Sequence, residues 1–355
     1  AVHRPTGTWV GPVVDCDVHA VVPSIEALFP HMDEVWVDWI QERGFIGPSL
    51  LQEIYPPNAA LTARPEWRPG DRVPASEPSL LREHLLDPWN VERALVNCYY
   101  AVEGVRHPDL NAALARAVNN WLIAEWLTDE RLVASLVVPG RQPAAMIEEI
   151  RRVGDHPGFR QVLFPVRSDR LYGDRIYHPV YKEIEARDLV LGIHWGGITE
   201  GPPQTSGNPE RFVEEYAAEW GNYAAHLTNM VAAGVFQACP NLRVSMLECG
   251  FTWIPVFLWR LDREWKGLHR ETPWLNRRPF ELVREHFRFS TAPTDAGPAE
   301  WMPKVIEWLG SDDLLMHASD YPHRHDSDVD GLLQAMPESM RQNVMGDTAR
   351  RWYRL

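Results

Sequence analysis

Residues 13–20 read VVDCDVHA, a valine-rich apolar run with two aspartates and a histidine set into it. The valines favour a pleated, buried strand. An ionised carboxylate inside a sheet is costly unless something compensates its charge, so Asp15, Asp17 and His19 need a reason to be there. Asp17 and His19 stand two residues apart and therefore leave the same side of a strand. A divalent cation is one answer, with Asp15 as a supporting, structural carboxylate. It requires further ligands elsewhere in the chain, at positions a fold brings together.

Seven more short apolar runs follow: RALVNCYYA (93–101), RLVASLVVPG (131–140), FRQVLFPVR (159–167), LVLGIHWGG (189–197), LRVSMLECG (242–250), FRFSTAPT (287–294) and LLMHASDYP (314–322). Between most of them lie stretches with 3.6-residue apolar spacing, at 111–127, 143–153, 177–188 and 299–310. Strands alternating with helices predict a parallel sheet covered on both faces. Eight such units predict a distorted (β/α)8 barrel, an α/β fold, as one domain over residues 1–355. An open doubly wound sheet fits less well, because no glycine-rich phosphate loop follows the first strand. Two segments exceed the minimal barrel. Residues 47–79 hold seven prolines, which resist helix and central strand, and residues 198–212 read ITEGPPQTSGNPERF. Both predict loop insertions, after strands 1 and 5, on the face where barrel enzymes carry their active sites.

Composition narrows the function. The 355 residues carry a net charge of −14 and include 16 tryptophans. Such an acidic chain is poorly suited to nucleic acid or anionic membrane surfaces, which select basic clusters. No apolar run approaches the roughly 18 residues of a membrane span. The four cysteines form no CxxC pair, so reduced, buried thiols and a cytoplasmic location are expected.

The polar residues at the strand ends then form a pattern. Strand 1 offers Asp17 and His19, strand 5 His194, strand 6 Glu248 and strand 8 Asp320. In a closed barrel these ends meet at one mouth, and two imidazoles with two or three carboxylates can hold one divalent ion while leaving a position open. His226, in an expected helix 221–235, reads as a packed residue. His317, His323 and His325 crowd around strand 8; His317 should point away from Asp320, whereas His323 can support the pocket. Arg167, Arg64 and Arg68 can clamp a substrate carboxylate, and Trp195 beside the mouth suits a flat, aromatic-derived small molecule.

DCDVHA, GIHWGG, NLRVSMLECG, HASDYPH and the closing VMGDTARRWYRL together resemble the amidohydrolase superfamily. The branch they resemble contains aminocarboxymuconate-semialdehyde decarboxylase, the dihydroxybenzoate-type decarboxylases and related metal-dependent hydrolases. The resemblance spans essentially the whole chain. It implies a metal-dependent enzyme without an organic cofactor, with metal ligands at Asp17, His19, His194 and Asp320. It also allows a homodimer, with the apolar segment 251–265 serving either as core helix or as subunit contact. Asp17 stands where the family more often has His or Glu, which moves the metal preference from Zn2+ toward Zn2+ or Mn2+. Strand 4 has no lysine to bridge two metals, so a single ion is expected. Decarboxylase members carry a histidine at the end of strand 6, where this chain has Glu248. That departure favours hydrolysis of an amide, lactone or C–C bond next to a carbonyl by a metal-activated water, with Asp320 and Glu248 as the catalytic acid–base pair. Non-oxidative decarboxylation of an aromatic or muconate-like acid is the alternative.

Overall fold

The computed structural model describes residues 8–48, 63–200, 207–295, 297–325 and 327–355. Eight strands lie hydrogen-bonded in sequence order, every neighbouring pair parallel. They are β1 (Val13–His19), β2 (Val91–Asn97), β3 (Leu132–Val137), β4 (Phe159–Pro165), β5 (Val190–His194), β6 (Arg243–Leu247), β7 (Phe287–Ser290) and β8 (Leu315–Met316). Each falls within or at the edge of an apolar run in the sequence. The expected helices are present as Pro108–Trp121, Pro143–Val153, His178–Ala186, Trp220–Ala232 and Met302–Leu309. The architecture is the (β/α)8 barrel.

The eighth strand is much shorter than the apolar run 314–322. Asp320 adopts φ +55°, a left-handed conformation that cannot continue a strand. The ring closes instead through the segment beyond β8. The Cys16 amide donates to the His317 carbonyl at 2.9 Å, Asp320 to Asp17 at 3.0 Å, and His19 to Tyr321 at 2.7 Å. Strand 6 stops in the same way, because Glu248 takes φ +57°. Two non-glycine residues in this region cost about 1–3 kcal/mol each, and both are acids at the barrel mouth.

Apolar side chains pack in two bodies. One fills the space between the strands and their helices. The other lies inside the barrel, where Val14, Cys16, Leu95, Val133, Val190 and Met316 meet Ala349, Trp352 and Tyr353 of helix Thr348–Tyr353. All four cysteines are buried and free. Residues 49–62 of the first insertion and 201–206 of the second lie outside the described residues. The remainder of the first insertion forms a 3-10 turn, Pro65–Trp67, whose buried Trp67 packs against Tyr321. Segment 251–265 becomes helix Ile254–Leu268, buried at Ile254, Pro255 and Leu258 and exposed at Val256, Trp259 and Leu268. Among the described residues no helix is long and apolar enough to cross a membrane.

His226 is a packed residue. Its Nε2 donates to the Val166 carbonyl at 2.7 Å, its Nδ1 accepts from the Tyr172 amide at 3.2 Å, and its ring stacks on Tyr172. Burial holds it neutral, with a pKa pushed down to about 4. The unfolded chain protonates near the ordinary histidine value, so this contribution to stability is complete above that value and is lost as pH falls toward 4, by up to roughly 3 kcal/mol. Urea unfolding of wild type and His226→Gln between pH 7 and pH 4.5 should therefore show a shallower loss of stability in the variant. Parallel curves would contradict this assignment.

Candidate metal centre and active site

A register shift between Asp15 and Val18 breaks the regular pairing of β1 with β2. Asp17 and His19 both come to the mouth beyond it, while Asp15 stays out of the ligand cluster. The Asp15 carboxylate accepts from the amides of Asp17 and Ser319 on one oxygen, each at 3.1 Å. It thereby ties β1 to the segment that carries Asp320. Burial pushes its pKa up to about 7.

His194 ends β5. Its Nδ1 faces the Trp195 carbonyl at 2.8 Å, which makes Nδ1 the donor and leaves Nε2 aimed into the mouth as an acceptor or ligand. The geometry brings Asp17, His19, His194 and Asp320 together, one potential ligand atom from each lying within 4.8 Å of all the others. His19 Nε2 is 2.8 Å from Asp320 Oδ1, and His194 Nε2 is 3.2 Å from Asp17 Oδ1. All four residues are buried.

These residues fit a divalent cation on two counts. Asp17 Oδ2 is buried and has no hydrogen-bond partner among the described residues, although an unsatisfied carboxylate oxygen in such a place is costly. Two carboxylates and two imidazoles also match a 2+ ion in charge and donor type, suiting Mn2+ or Zn2+. The protein's own electrostatics ask for positive charge here. Although burial opposes it, the carboxylate of Asp17, with Glu248 and Asp320 adding to it, holds His194 up at about 10. Asp320, against the same penalty, is kept well below the usual carboxylate range by His323, His325 and His19.

A second group adjoins the first and shares Asp320: Glu248, Asp320, His323 and His325. His323 Nδ1 lies 3.1 Å from Asp320 Oδ2, and His325 Nε2 makes a short contact with the same oxygen. Asp320 and Glu248 hold His325 at about 10 against the effect of burial. Glu248 Oε1 accepts from the Tyr216 hydroxyl at 2.7 Å and stands 3.5 Å from His325 Nε2. Its Oε2 has no hydrogen-bond partner among the described residues and stands 3.8 Å from His194 Nε2. The sequence reading missed the roles of His325 and Tyr216. His325 was visible in the histidine-rich run after strand 8, but only the loop path takes it to Glu248. Tyr216 lies on helix Phe212–Ala218, within the second insertion's return to the barrel.

Arg167 needs correction as a substrate clamp. Its Nε and one terminal nitrogen donate to Glu219 at 3.1 and 2.7 Å, and the other terminal nitrogen pairs with Glu215. All three guanidinium nitrogens are paired with a carboxylate, and the group lies 4.9 Å from the Trp195 ring. Arg167 therefore props Trp195, which packs beside Phe212 and Tyr216 as an aromatic wall. Tyr216 in turn stacks on His325. Arg64 covers Trp67 and donates to the His325 carbonyl at 3.2 Å, whereas Arg68 is exposed and donates to the Ala63 carbonyl. His317 is buried away from the cluster, stacked near Trp89.

Residues 14–355 match the family model described as Amidohydrolase. No curated protein sequence matches the chain. Among solved structures, an amidohydrolase from Mycobacterium avium subsp. paratuberculosis K-10 is similar at 19% identity and TM-score 0.70, with 97% of this chain and 98% of that one covered. The 5-carboxyvanillate decarboxylase of Sphingomonas paucimobilis is similar at 21% identity and TM-score 0.68, covering 97% and 99%. A dihydroxybenzoic acid decarboxylase from Polaromonas sp. JS666, holding manganese and the inhibitor 2-nitroresorcinol, is similar at 17% identity and TM-score 0.65, covering 98% of each chain.

Stripped with a chelator and reloaded with Mn2+ or Zn2+, the protein should retain about one equivalent per chain by elemental analysis. His194→Ala, which removes one of four donors, should weaken retention by at least about tenfold. Equal retention by the variant would contradict the ligand set.

Proposed function

The chain belongs to the amidohydrolase family, and on that premise we propose that it is a metal-dependent, non-oxidative decarboxylase of a hydroxylated aromatic acid. The observation that carries this reading is the imidazole of His325, set against Asp320 and 3.5 Å from Glu248. The sequence-based preference for hydrolysis rested on the lack of a histidine at the end of β6. His325 brings one to the same carboxylate from the loop after β8, and that supports a proton donor suited to carbon. The decarboxylases among the similar structures support the same choice.

A divalent ion held by Asp17, His19, His194 and Asp320 would draw in the substrate carboxylate with a neighbouring oxygen and withdraw charge from the ring. The chain's own groups do the rest. Trp195 and Tyr216 offer flat faces to an aromatic ring. His325, held protonated between two carboxylates, delivers its proton to the ring carbon that bears the carboxylate. The C–C bond then breaks, its electron pair restores the aromatic ring, and CO2 leaves. The balance is one arene carboxylate plus one proton giving one arene plus CO2, with no electron acceptor. Glu248, fixed by Tyr216, keeps His325 oriented and favours its reprotonation.

The Mn2+-loaded enzyme should release CO2 stoichiometrically from a member of a panel containing 2,6-dihydroxybenzoate and 5-carboxyvanillate. His325→Gln should lower kcat by about 100-fold or more while retaining the metal. Turnover of lactones or amides with no CO2 from any aromatic acid would overturn the decarboxylase reading in favour of hydrolysis.

A further inference from the structure

The middle of the barrel interior is polar where branched apolar residues usually fill such barrels. Asn97, Ser135, Gln161 and Ser245, from β2, β3, β4 and β6, are wholly buried there. An apolar row would fill the same space without desolvating four polar side chains. Gly192 on β5 leaves room for one of them, since a Cβ there would lie 2.3 Å from the Gln161 amide carbon.

These side chains make one continuous line of hydrogen bonds. Trp352 Nε1 donates to Ser245 Oγ at 3.0 Å, and Ser245 Oγ lies 2.7 Å from the Tyr353 hydroxyl. Tyr353 donates to Gln161 Oε1 at 3.0 Å. Gln161 Nε2 donates to Ser135 Oγ at 2.8 Å and to Asn97 Oδ1 at 3.3 Å, and Ser135 donates to Asn97 Oδ1 at 2.5 Å. Asn97 Nδ2 donates to Asp17 Oδ1 at 2.7 Å.

The direction of the line is forced at both ends. An indole N–H can only donate and a carboxylate can only accept, so each amide has one possible orientation. With Tyr353 donating to Gln161, Ser245 must donate to Tyr353. Every hydrogen then points toward Asp17, and bonds aligned head to tail reinforce one another.

We propose that Tyr353 is a positioning residue for the metal centre, acting through Gln161, Ser135 and Asn97 to fix the Asp17 carboxylate against the other candidate ligands. This inference rests on the reading of Asp17 as a metal ligand and not on the identity of the reaction. Asp17 Oδ1 takes the Asn97 amide from inside the barrel and is also the oxygen 3.2 Å from His194 Nε2, while Oδ2 has no partner among the described residues. A ligand held from behind loses less freedom on binding, and removal of such supporting contacts typically weakens metal affinity about 10–100-fold.

The test is the Mn2+ dissociation constant, measured by competition with a metal-binding fluorophore on the full chain. Tyr353→Phe deletes one oxygen and should raise Kd about five- to tenfold, less than a direct supporting contact because three residues stand between it and Asp17. Tyr181→Phe is the matched control. Its hydroxyl is equally buried and donates to the Tyr172 carbonyl at 2.5 Å, outside the line, and its loss should leave Kd within twofold of wild type. Gln161→Met cuts both links to Ser135 and Asn97, nearer Asp17, and should raise Kd at least as much, which keeps the test open if Tyr353→Phe does not fold. An unchanged Kd in the folded line variants, or a rise matched by Tyr181→Phe, overturns the proposal while the metal site stands. Failure of wild type to bind Mn2+ at all would instead overturn the metal reading and this inference with it.

Discussion

Two carboxylates, Asp17 and Asp320, are wholly buried at one end of a parallel barrel, and their charge must be met there. This is the constraint on which the arrangement of the mouth depends. Imidazoles from β1, β5 and the loop after β8 surround them, and burial alone would drive those rings neutral. The carboxylates instead hold His194 and His325 at about 10. The negative charge that holds those protons is equally available to a divalent cation, whose binding would release them.

The scaffold is built to keep those charges in place. The Asp15 carboxylate bridges the amides of Asp17 and Ser319 and so ties the strand bearing Asp17 and His19 to the loop bearing Asp320. Asp320 and Glu248 sit in left-handed backbone, Glu248 directly after β6 and Asp320 in the segment beyond β8. Below them, the polar line from Trp352 reaches Asp17 Oδ1, the oxygen that faces His194. Around the mouth, Arg167 is paired with Glu215 and Glu219 and supports Trp195. Positive charge at the mouth thus comes from the histidines, with Arg64 at the rim.

Much of this was legible in the sequence, for definite reasons. Buried parallel strands are apolar on both faces, so eight valine- and leucine-rich runs marked the barrel. The i, i+2 spacing of Asp17 and His19 announced a shared side of one strand. The common position of His194, Glu248 and Asp320 at strand ends announced a shared mouth. What failed to show was set by loop paths and distant pairings. The run 314–322 looks like a full strand because nothing local reveals the left-handed turn at Asp320. Arg167 looks free until helices some 48–52 residues later supply Glu215 and Glu219. His325 approaches Glu248 from the loop after β8 and Tyr216 from helix Phe212–Ala218, and Asn97, read only as part of an apolar run, meets Asp17 from the neighbouring strand.

The most direct test of this account is anomalous diffraction at the manganese edge from crystals of the Mn2+-loaded protein. The account predicts a single peak among Asp17, His19, His194 and Asp320, with each donor about 2.0–2.4 Å away. A peak held by Glu248, His323 and His325 without Asp17, or no ordered manganese at the mouth, would contradict it.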